Sequence, residues 1–281
     1  MHTVLEVVKR TTEFLAGRGV ESPRLNAELL VGHALGLKRM QLYLQFERPL
    51  TEPELEKIRP LVRRRAAREP LQYVLGETAF RDLTLGVDPR VLIPRPETER
   101  LVELVLQHRT MAPATVLDLG TGSGAIALSL ARAWPEAKVT AVDNAEGALA
   151  VAAANAVKNS LEGRVLFVRS DWFAALPAGA RYEVIVANPP YLSEAEVAET
   201  APEVRDHEPK SALSSRPDAA ADLCAIIAES PRWLVPGGLL ALETGIGQHR
   251  DLLAAAQQAG FTRAESHRDL TDRDRFVLAF L

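Results

Sequence analysis

From about Thr98 onward, short β-rich runs alternate in regular order with alanine-rich helical stretches, and that alternation leaves few folds open. Strand patterns cover Thr115 to Leu119, Lys138 to Val142, Arg164 to Val168, Tyr182 to Ala187 and Gly238 to Leu242. Strands joined through helices run parallel, because the crossover helix returns the chain to its starting edge. The prediction is an α/β domain: a mostly parallel sheet with helices on both faces and ligands at the carboxyl ends of its strands. Two more strand patterns, Phe261 to Ser266 and Phe276 to Phe280, are separated by a short polar stretch and predict a terminal hairpin on that sheet. The Ala148 to Ala156 run is good helix former rather than linker.

The first third reads as helices. Val4, Leu5, Val8, Phe14 and Leu15 recur at three and four spacing within the segment Met1 to Gly17, and Gly17 and Gly19 end the pattern. Ser22 before Pro23 has the form of an N-cap with proline at the first helical position. Thr51-Glu52-Pro53-Glu54 has capping-box spacing and opens a helix to about Ala67. Between Leu71 and Ile93 the pattern becomes short β-rich runs broken at Gly76, Arg81-Asp82 and Asp88-Pro89, which predicts a hairpin. The expected division is a helical domain over residues 1–70, a β-hairpin linker over 71–97 and the α/β domain over 98–281.

Composition excludes several classes. Apolar runs stay well short of the roughly 18 to 20 residues a membrane helix needs, and Glu6, Lys9, Arg10 and Glu13 interrupt the first segment, so neither an anchor nor a signal peptide fits. Cys224 is the single cysteine, which rules out an intrachain disulfide and a cysteine-based metal cluster; its Ala/Ile surroundings predict a buried structural thiol. A cytoplasmic protein without metal is expected. The net charge of −4 is uneven, since residues 1–75 carry 13 Lys/Arg against 9 Asp/Glu. Arg63-Arg64-Arg65 with Arg68 reads as a solvated helix face, and nothing resembles the basic stripe that holds duplex DNA. Nucleic acid is therefore not the expected substrate.

Gly120, Gly122 and Gly124, with Thr121 and Ser123 between them, sit directly after a strand and before a helix. Glycines there let the backbone turn tightly and approach a ligand where a Cβ would collide. Asp143 follows 19 positions after Gly124, at the end of the next strand, where a carboxylate can accept both ribose hydroxyls. This pair specifies an adenosine-containing cofactor without choosing between NAD and S-adenosylmethionine, and a glycine run alone also serves as a structural turn. Asp118, just before the first glycine, is placed to organise the loop or merely to cap it. Asp171-Trp172, after the third strand, can stand beside an adenine or pack under the sheet.

Asn188-Pro189-Pro190-Tyr191 follows the fourth strand and so falls at the same carboxyl edge. Two prolines fix φ and remove two backbone donors, leaving rigid carbonyl acceptors. A substrate NH2 can then donate one hydrogen to the Asn188 side chain and the other to the Pro189 carbonyl. The nitrogen of an amide or aromatic amine is a poor nucleophile because its lone pair is delocalised. Two acceptors that grip both hydrogens favour partial pyramidalisation and aim the lone pair, so much of the acceleration would be positioning and electrostatics. Tyr191 can cover the flat face of the substrate group. A dehydrogenase gains nothing from paired amide acceptors, so S-adenosylmethionine outranks NAD. The candidate catalytic residues are Asn188, Pro189 and Tyr191, with Pro190 completing the substrate-binding turn; a plain rigid turn is the alternative.

With the tetrapeptide, Arg24 to Leu30, Pro70-Leu71-Gln72-Tyr73, Gly76, Phe80, Glu243, Gly245 and Gln248 make the chain resemble the bacterial peptide chain release factor glutamine methyltransferases, related to the HemK proteins. Ile93-Pro94-Arg95-Pro96-Glu97-Thr98-Glu99 is similar to that family's Pro-Arg-x-Glu-Thr-Glu signature and differs from the ribosomal-protein glutamine methyltransferase paralogue. The resemblance implies a class I methyltransferase domain, Rossmann-like with a mostly parallel seven-stranded sheet, behind a helical substrate-binding domain. It implies that Gly120 to Gly124, Asp143, Trp172 and Asn188 contact S-adenosylmethionine, that Asn188 to Tyr191 receive the glutamine of a Gly-Gly-Gln loop in a release factor, and that Phe80 and Arg95 line the cleft. The chain departs from the pattern at His207-Glu208-Pro209 and at Ser214-Ser215-Arg216. Amino groups of adenine or guanine are planar too, so a nucleic-acid methyltransferase is the main rival, followed by a silent cofactor-binding module.

Overall fold

The computed structural model describes residues 2–214 and 220–281; the departures at Ser215 and Arg216 lie outside them. The chain divides into two compact units, one of residues 1–77 with 201–207 and one of residues 78–200 with 208–281.

The first unit opens with five helices: α1 (Val4–Ala16), α2 (Pro23–Leu35), α3 (Arg39–Tyr43), α4 (Glu52–Ala66) and α5 (Leu71–Leu75). Thr3 and Glu6 form a reciprocal capping box at the start of α1. At α4, Glu54 accepts from both the amide and the hydroxyl of Thr51. Ser22 differs from expectation: it lies at φ 45° and makes no side-chain cap, while the Asn26 amide reaches back to the carbonyls of Glu21 and Ser22. Leu71 to Leu75 is a helical turn rather than the expected strand, stopped by Gly76 at φ 78°. Five residues are too few for periodicity to distinguish the two.

The arginine run is not a solvated face. Arg63 and Arg64 are exposed, but Arg65 is buried, donating to Asn26 Oδ1 at 2.7 Å and to Glu203 at 2.8 Å, and Arg68 holds both oxygens of Glu203 at 2.7 Å. Glu203 is far away in sequence, which hid the pairing. A second carboxylate, Glu28, is fully buried and accepts from Arg24, Arg39 and Tyr43. These pairs, with apolar clusters around Val8, Val31 and Ile58 and around Leu15 and Leu30, tie the short helices together.

The second unit contains a hairpin, β1 (Glu77–Phe80, entering from the first unit) and β2 (Leu83–Gly86), then α6 (Pro96–His108), β3 (Thr115–Leu119), α7 (Ala125–Ala133), β4 (Lys138–Asp143), α8 (Glu146–Lys158), β5 (Val165–Arg169) and β6 (Tyr182–Ala187). Beyond the tetrapeptide come the short helices α9 (Glu194–Glu199), α10 (Pro202–His207) and α11 (Lys210–Leu213), of which α10 belongs to the first unit. The chain finishes with α12 (Ala221–Glu229), β7 (Leu234–Glu243), α13 (His249–Gln258), β8 (Arg263–Arg268) and β9 (Asp274–Phe280).

The seven-stranded sheet has the order β5-β4-β3-β6-β7-β9-β8, parallel through β7 and antiparallel across the last two strands. Strand alternation feeds two cores: Val116, Val184, Val186 and Leu239 face α6 and α7, while Leu117, Ile185, Leu240 and Val277 face α12 and α13. Between β3 and β6 the strand order reverses, and loops leaving their carboxyl ends diverge to open a crevice.

Asn155 and Asn159 on α8 act as a surrogate strand for β2. Asn155 exchanges hydrogen bonds with Gly86, at 2.6 and 3.0 Å, and also donates to the carbonyl of Ser123 in the glycine loop at 2.9 Å; Asn159 exchanges with Thr84. Cys224 is half-buried on α12 and packs beside the α12/α13 core. Among the described residues, no helix is long and apolar enough to cross a membrane.

Candidate active site

A cleft of about 320 Å³ occupies that crevice, lined by Gly120 to Ser123, Asp143, Trp172, and Asn188 to Pro190, together with Arg90, Arg95 and Thr98. This volume suits a small organic cofactor, whose sites span about 300 to 1,000 Å³. Four parallel strands, β3 to β6, deliver walls at their carboxyl ends, and the segment from Arg90 to Thr98 ahead of α6 supplies the rest.

The glycine loop needs its glycines for two different reasons. Gly120, Gly122 and Gly124 all lie at positive φ, where a side chain is strained. A Cβ on Gly122 would meet nothing of the protein within 4 Å and would project into open space, and Gly122 lines the cleft, so this position leaves room for a bound group. A Cβ on Gly124 would lie 3.2 Å from both Ala152 on α8 and Leu128 on α7, and Gly124 does not line the cleft. Its place in the structure is helix packing. Gly120 lies under Trp172, whose ring carbon would be 3.3 Å from an added Cβ.

Asp143 closes the loop from β4. One carboxylate oxygen accepts the Gly122 amide at 2.9 Å and the other accepts the Ala145 amide at 2.9 Å. Each oxygen keeps a further lone pair, so the group can also receive hydroxyls from the cleft. Asp118 lies behind the loop, fully buried, with one oxygen accepting Thr121 Oγ1 at 2.7 Å and the Ala127 amide at 3.2 Å. Its other oxygen, Oδ1, has no hydrogen-bond partner.

Burial pushes the Asp118 carboxyl up to about 7, with the charge of Asp143 adding to the rise. In an unfolded chain the same group titrates near about 4. Between those values the folded protein holds a proton the unfolded chain has lost, so this contribution to stability is full at low pH and is lost as pH rises through about 7. Asp118→Asn should flatten the decline: between pH 5 and about 8 the wild-type melting temperature is expected to fall further than the variant's. Parallel curves for the two proteins would assign the pH dependence elsewhere.

Asn188 stands at the end of β6, where its Nδ2 donates to Thr98 Oγ1 at 3.2 Å. Thr98 in turn donates to Glu243 Oε2 at 2.8 Å, and the Tyr191 hydroxyl donates to Glu243 Oε1 at 3.1 Å. The carbonyl of Tyr191 is held by Gln248 Nε2 at 3.2 Å, and Gln248 Oε1 accepts the Gly245 amide at 2.8 Å. Glu243 is almost wholly buried, and burial raises its pKa. Burial, reinforced by the Glu243 charge, also raises the pKa of Tyr191, which keeps its phenol protonated.

Tyr191 is not on the cleft wall; its ring packs beside the α12/α13 core with the Arg275 guanidinium 5.5 Å from its centre. Phe80 is buried in the other core and does not reach the cleft, whereas Arg95 does. Arg95 is held by Glu208 Oε1 at 2.6 Å, while Glu208 Oε2 accepts the Ile93 amide at 3.1 Å. Sequence reading passed over Glu208 as part of a divergent loop. Burial of an acid against Arg95 was the missing signal, and only the fold supplies it.

The fold and this crevice define a class I methyltransferase. Residues 97–206 match the family model "Methyltransferase small domain" and residues 6–76 match "PrmC N-terminal domain". The catalytic domain of hMettl16, solved with a 3′UTR hairpin, shares the fold at a TM-score of 0.60 and 16% identity, over 75% of this chain and 80% of that one. Within the class, the chain belongs to the release factor glutamine methyltransferase family. It is 42% identical to the Geobacter sulfurreducens member over 98% of this chain and 95% of the relative. It is 44% identical to the Gloeobacter violaceus member over 90% and 89%.

Proposed function

We propose that the chain transfers a methyl group from S-adenosylmethionine to the side-chain amide nitrogen of the glutamine in the Gly-Gly-Gln loop of a peptide chain release factor. The observation that carries this reading is the fixed orientation of Asn188: its Nδ2 is committed to Thr98, so its Oδ1 is left to accept from a substrate NH2. Pro189 cannot donate from its backbone nitrogen, and its carbonyl is the second acceptor. The open Gly122 cradle and the Asp143 carboxylate fit the cofactor's amino-acid portion and ribose, with Trp172 beside the adenine.

When bound, S-adenosylmethionine supplies a methyl carbon on a positively charged sulfur. Asn188 and Pro189 grip the two amide hydrogens and thereby aim the nitrogen lone pair along the line of attack. The bound donor would give up its methyl while the electrons of the S–CH3 bond stay on sulfur, and Asn188 and Pro189 would hold the nitrogen that receives it. The methylated amide is briefly cationic and strongly acidic, so one N–H proton passes to solvent without a dedicated base. Tyr191, anchored to Glu243, serves as a strut for the turn rather than as a stacking surface.

The release-factor target is supported by the family membership; a protein partner rather than nucleic acid accords with the acidic balance of the second unit. Incubation with labelled S-adenosylmethionine and, separately, a release factor, bulk RNA and bulk DNA tests it. Label is expected on the release factor glutamine alone; label confined to nucleic acid would overturn the reading.

A further inference from the structure

We propose that Thr98 and Glu243 form a polarity relay that locks the Asn188 amide in its productive orientation, making both of them positioning residues for methyl transfer. The inference rests on the function proposed above and extends it to residues outside the tetrapeptide.

An asparagine amide is nearly symmetrical in shape but opposite in chemistry at its two ends: turned by half a rotation, it would offer donors to a substrate that needs an acceptor. Local backbone geometry cannot choose between the two settings. Thr98 chooses, because its hydroxyl has one proton, and that proton is given to Glu243 Oε2 at 2.8 Å. Toward Asn188 the hydroxyl therefore offers only lone pairs. Asn188 must answer with Nδ2, at 3.2 Å, and Oδ1 is turned the other way.

Glu243 sets the direction of the whole chain of bonds. Two donors, Thr98 and Tyr191, aim at its two oxygens, and they and the charge of Arg275 favour the ionised form against burial, so Glu243 accepts on both sides. Its near-complete burial excludes water as a competing donor. The three partners come from separate elements: Thr98 from the first turn of α6, Glu243 from the end of β7, and Tyr191 from the turn after β6. The arrangement thus holds both ends of the Asn188-to-Tyr191 turn through one acid. Burying a carboxylate is unfavourable, and a stability role alone would be met as well by apolar packing.

The test uses the full chain. Thr98→Val removes the hydroxyl at nearly constant volume, Thr98→Ser keeps it, and Glu243→Gln keeps the volume but can donate as well as accept. With a release factor as substrate, Thr98→Val and Glu243→Gln are each expected to lower kcat about tenfold or more, by analogy with partial loss of a transition-state contact. The dissociation constant for S-adenosylmethionine should stay within about threefold, and Thr98→Ser should keep most of the wild-type kcat. A second readout needs no substrate: hydrogen exchange of the Asn188 side-chain NH2, followed by NMR and assigned by its loss in Asn188→Asp. Exchange should quicken in Thr98→Val and stay slow in Thr98→Ser. Unchanged exchange in Thr98→Val, or an equal loss of kcat in Thr98→Ser, would overturn the relay. If the wild-type protein binds S-adenosylmethionine but leaves release factors unlabelled, the functional reading fails, and the Asn188 exchange still decides the relay on its own.

Discussion

Asn188→Ala is expected to lower kcat by about 10²-fold or more, the scale of losing one positioned hydrogen-bond partner of a transition state. The substitution removes the side-chain acceptor and leaves the Pro189 carbonyl as the single grip on the substrate nitrogen. An amide held by one hydrogen rotates and stays planar, so the lone pair is presented to the methyl carbon less often and less fully. The glycine loop and Asp143 are untouched, and their mutual bond at 2.9 Å does not pass through Asn188. The dissociation constant for S-adenosylmethionine should therefore move by less than about tenfold. Single-turnover rates measured beside equilibrium binding separate the two quantities, and an unchanged rate would remove Asn188 from the catalytic role.

Asp143→Ala is expected to give the opposite split. The carboxylate accepts the Gly122 and Ala145 amides and faces the cleft from the end of β4. Hydrogen bonds to a charged group contribute about 1.5 to 3 kcal/mol each. If Asp143 holds the ribose as proposed, its loss, with loosening of the Gly122 turn, should weaken S-adenosylmethionine binding by about 10²-fold, while kcat at saturating cofactor falls far less. Asp143→Asn, which keeps one acceptor, should lie between. Isothermal titration with S-adenosylmethionine and its product S-adenosylhomocysteine measures the effect on both. Equal and small changes for the two ligands would mean that Asp143 shapes the loop without touching either. Together the variants divide the cleft into a half that holds the cofactor and a half that aims the substrate.

Much of the fold was legible because its determinants are local. The strands Thr115 to Leu119 and Tyr182 to Ala187 coincide with their patterns, and the terminal hairpin was readable from two β runs with a polar break. Errors fell where a short apolar segment carries no period. Leu71 to Leu75 is such a segment, whereas the short, mostly polar helices α9 to α11 after the tetrapeptide carry no apolar pattern at all. The arginine run misled for another reason: charge in a sequence does not reveal its partner, and Glu203 lies 135 positions beyond Arg68.

The sequence by itself determined the order of helices and strands, the glycine loop with its acid one strand later, and the tetrapeptide that follows β6. Each of these depends on residue type and near-neighbour spacing, which backbone sterics and hydrogen-bond chemistry translate directly. What only the tertiary structure decided is how identical residue types divide their tasks. Gly122 opens onto the cleft while Gly124, two positions on, is a packing site, because α8 stands over one and not the other. Tyr191 turns from the cleft to Glu243, and the Asn188 amide is oriented by a threonine from α6 whose proton is taken by an acid on β7. Such bonds join residues separated by 90 and 145 positions, and the direction in which they donate exists only once the chain has buried them together.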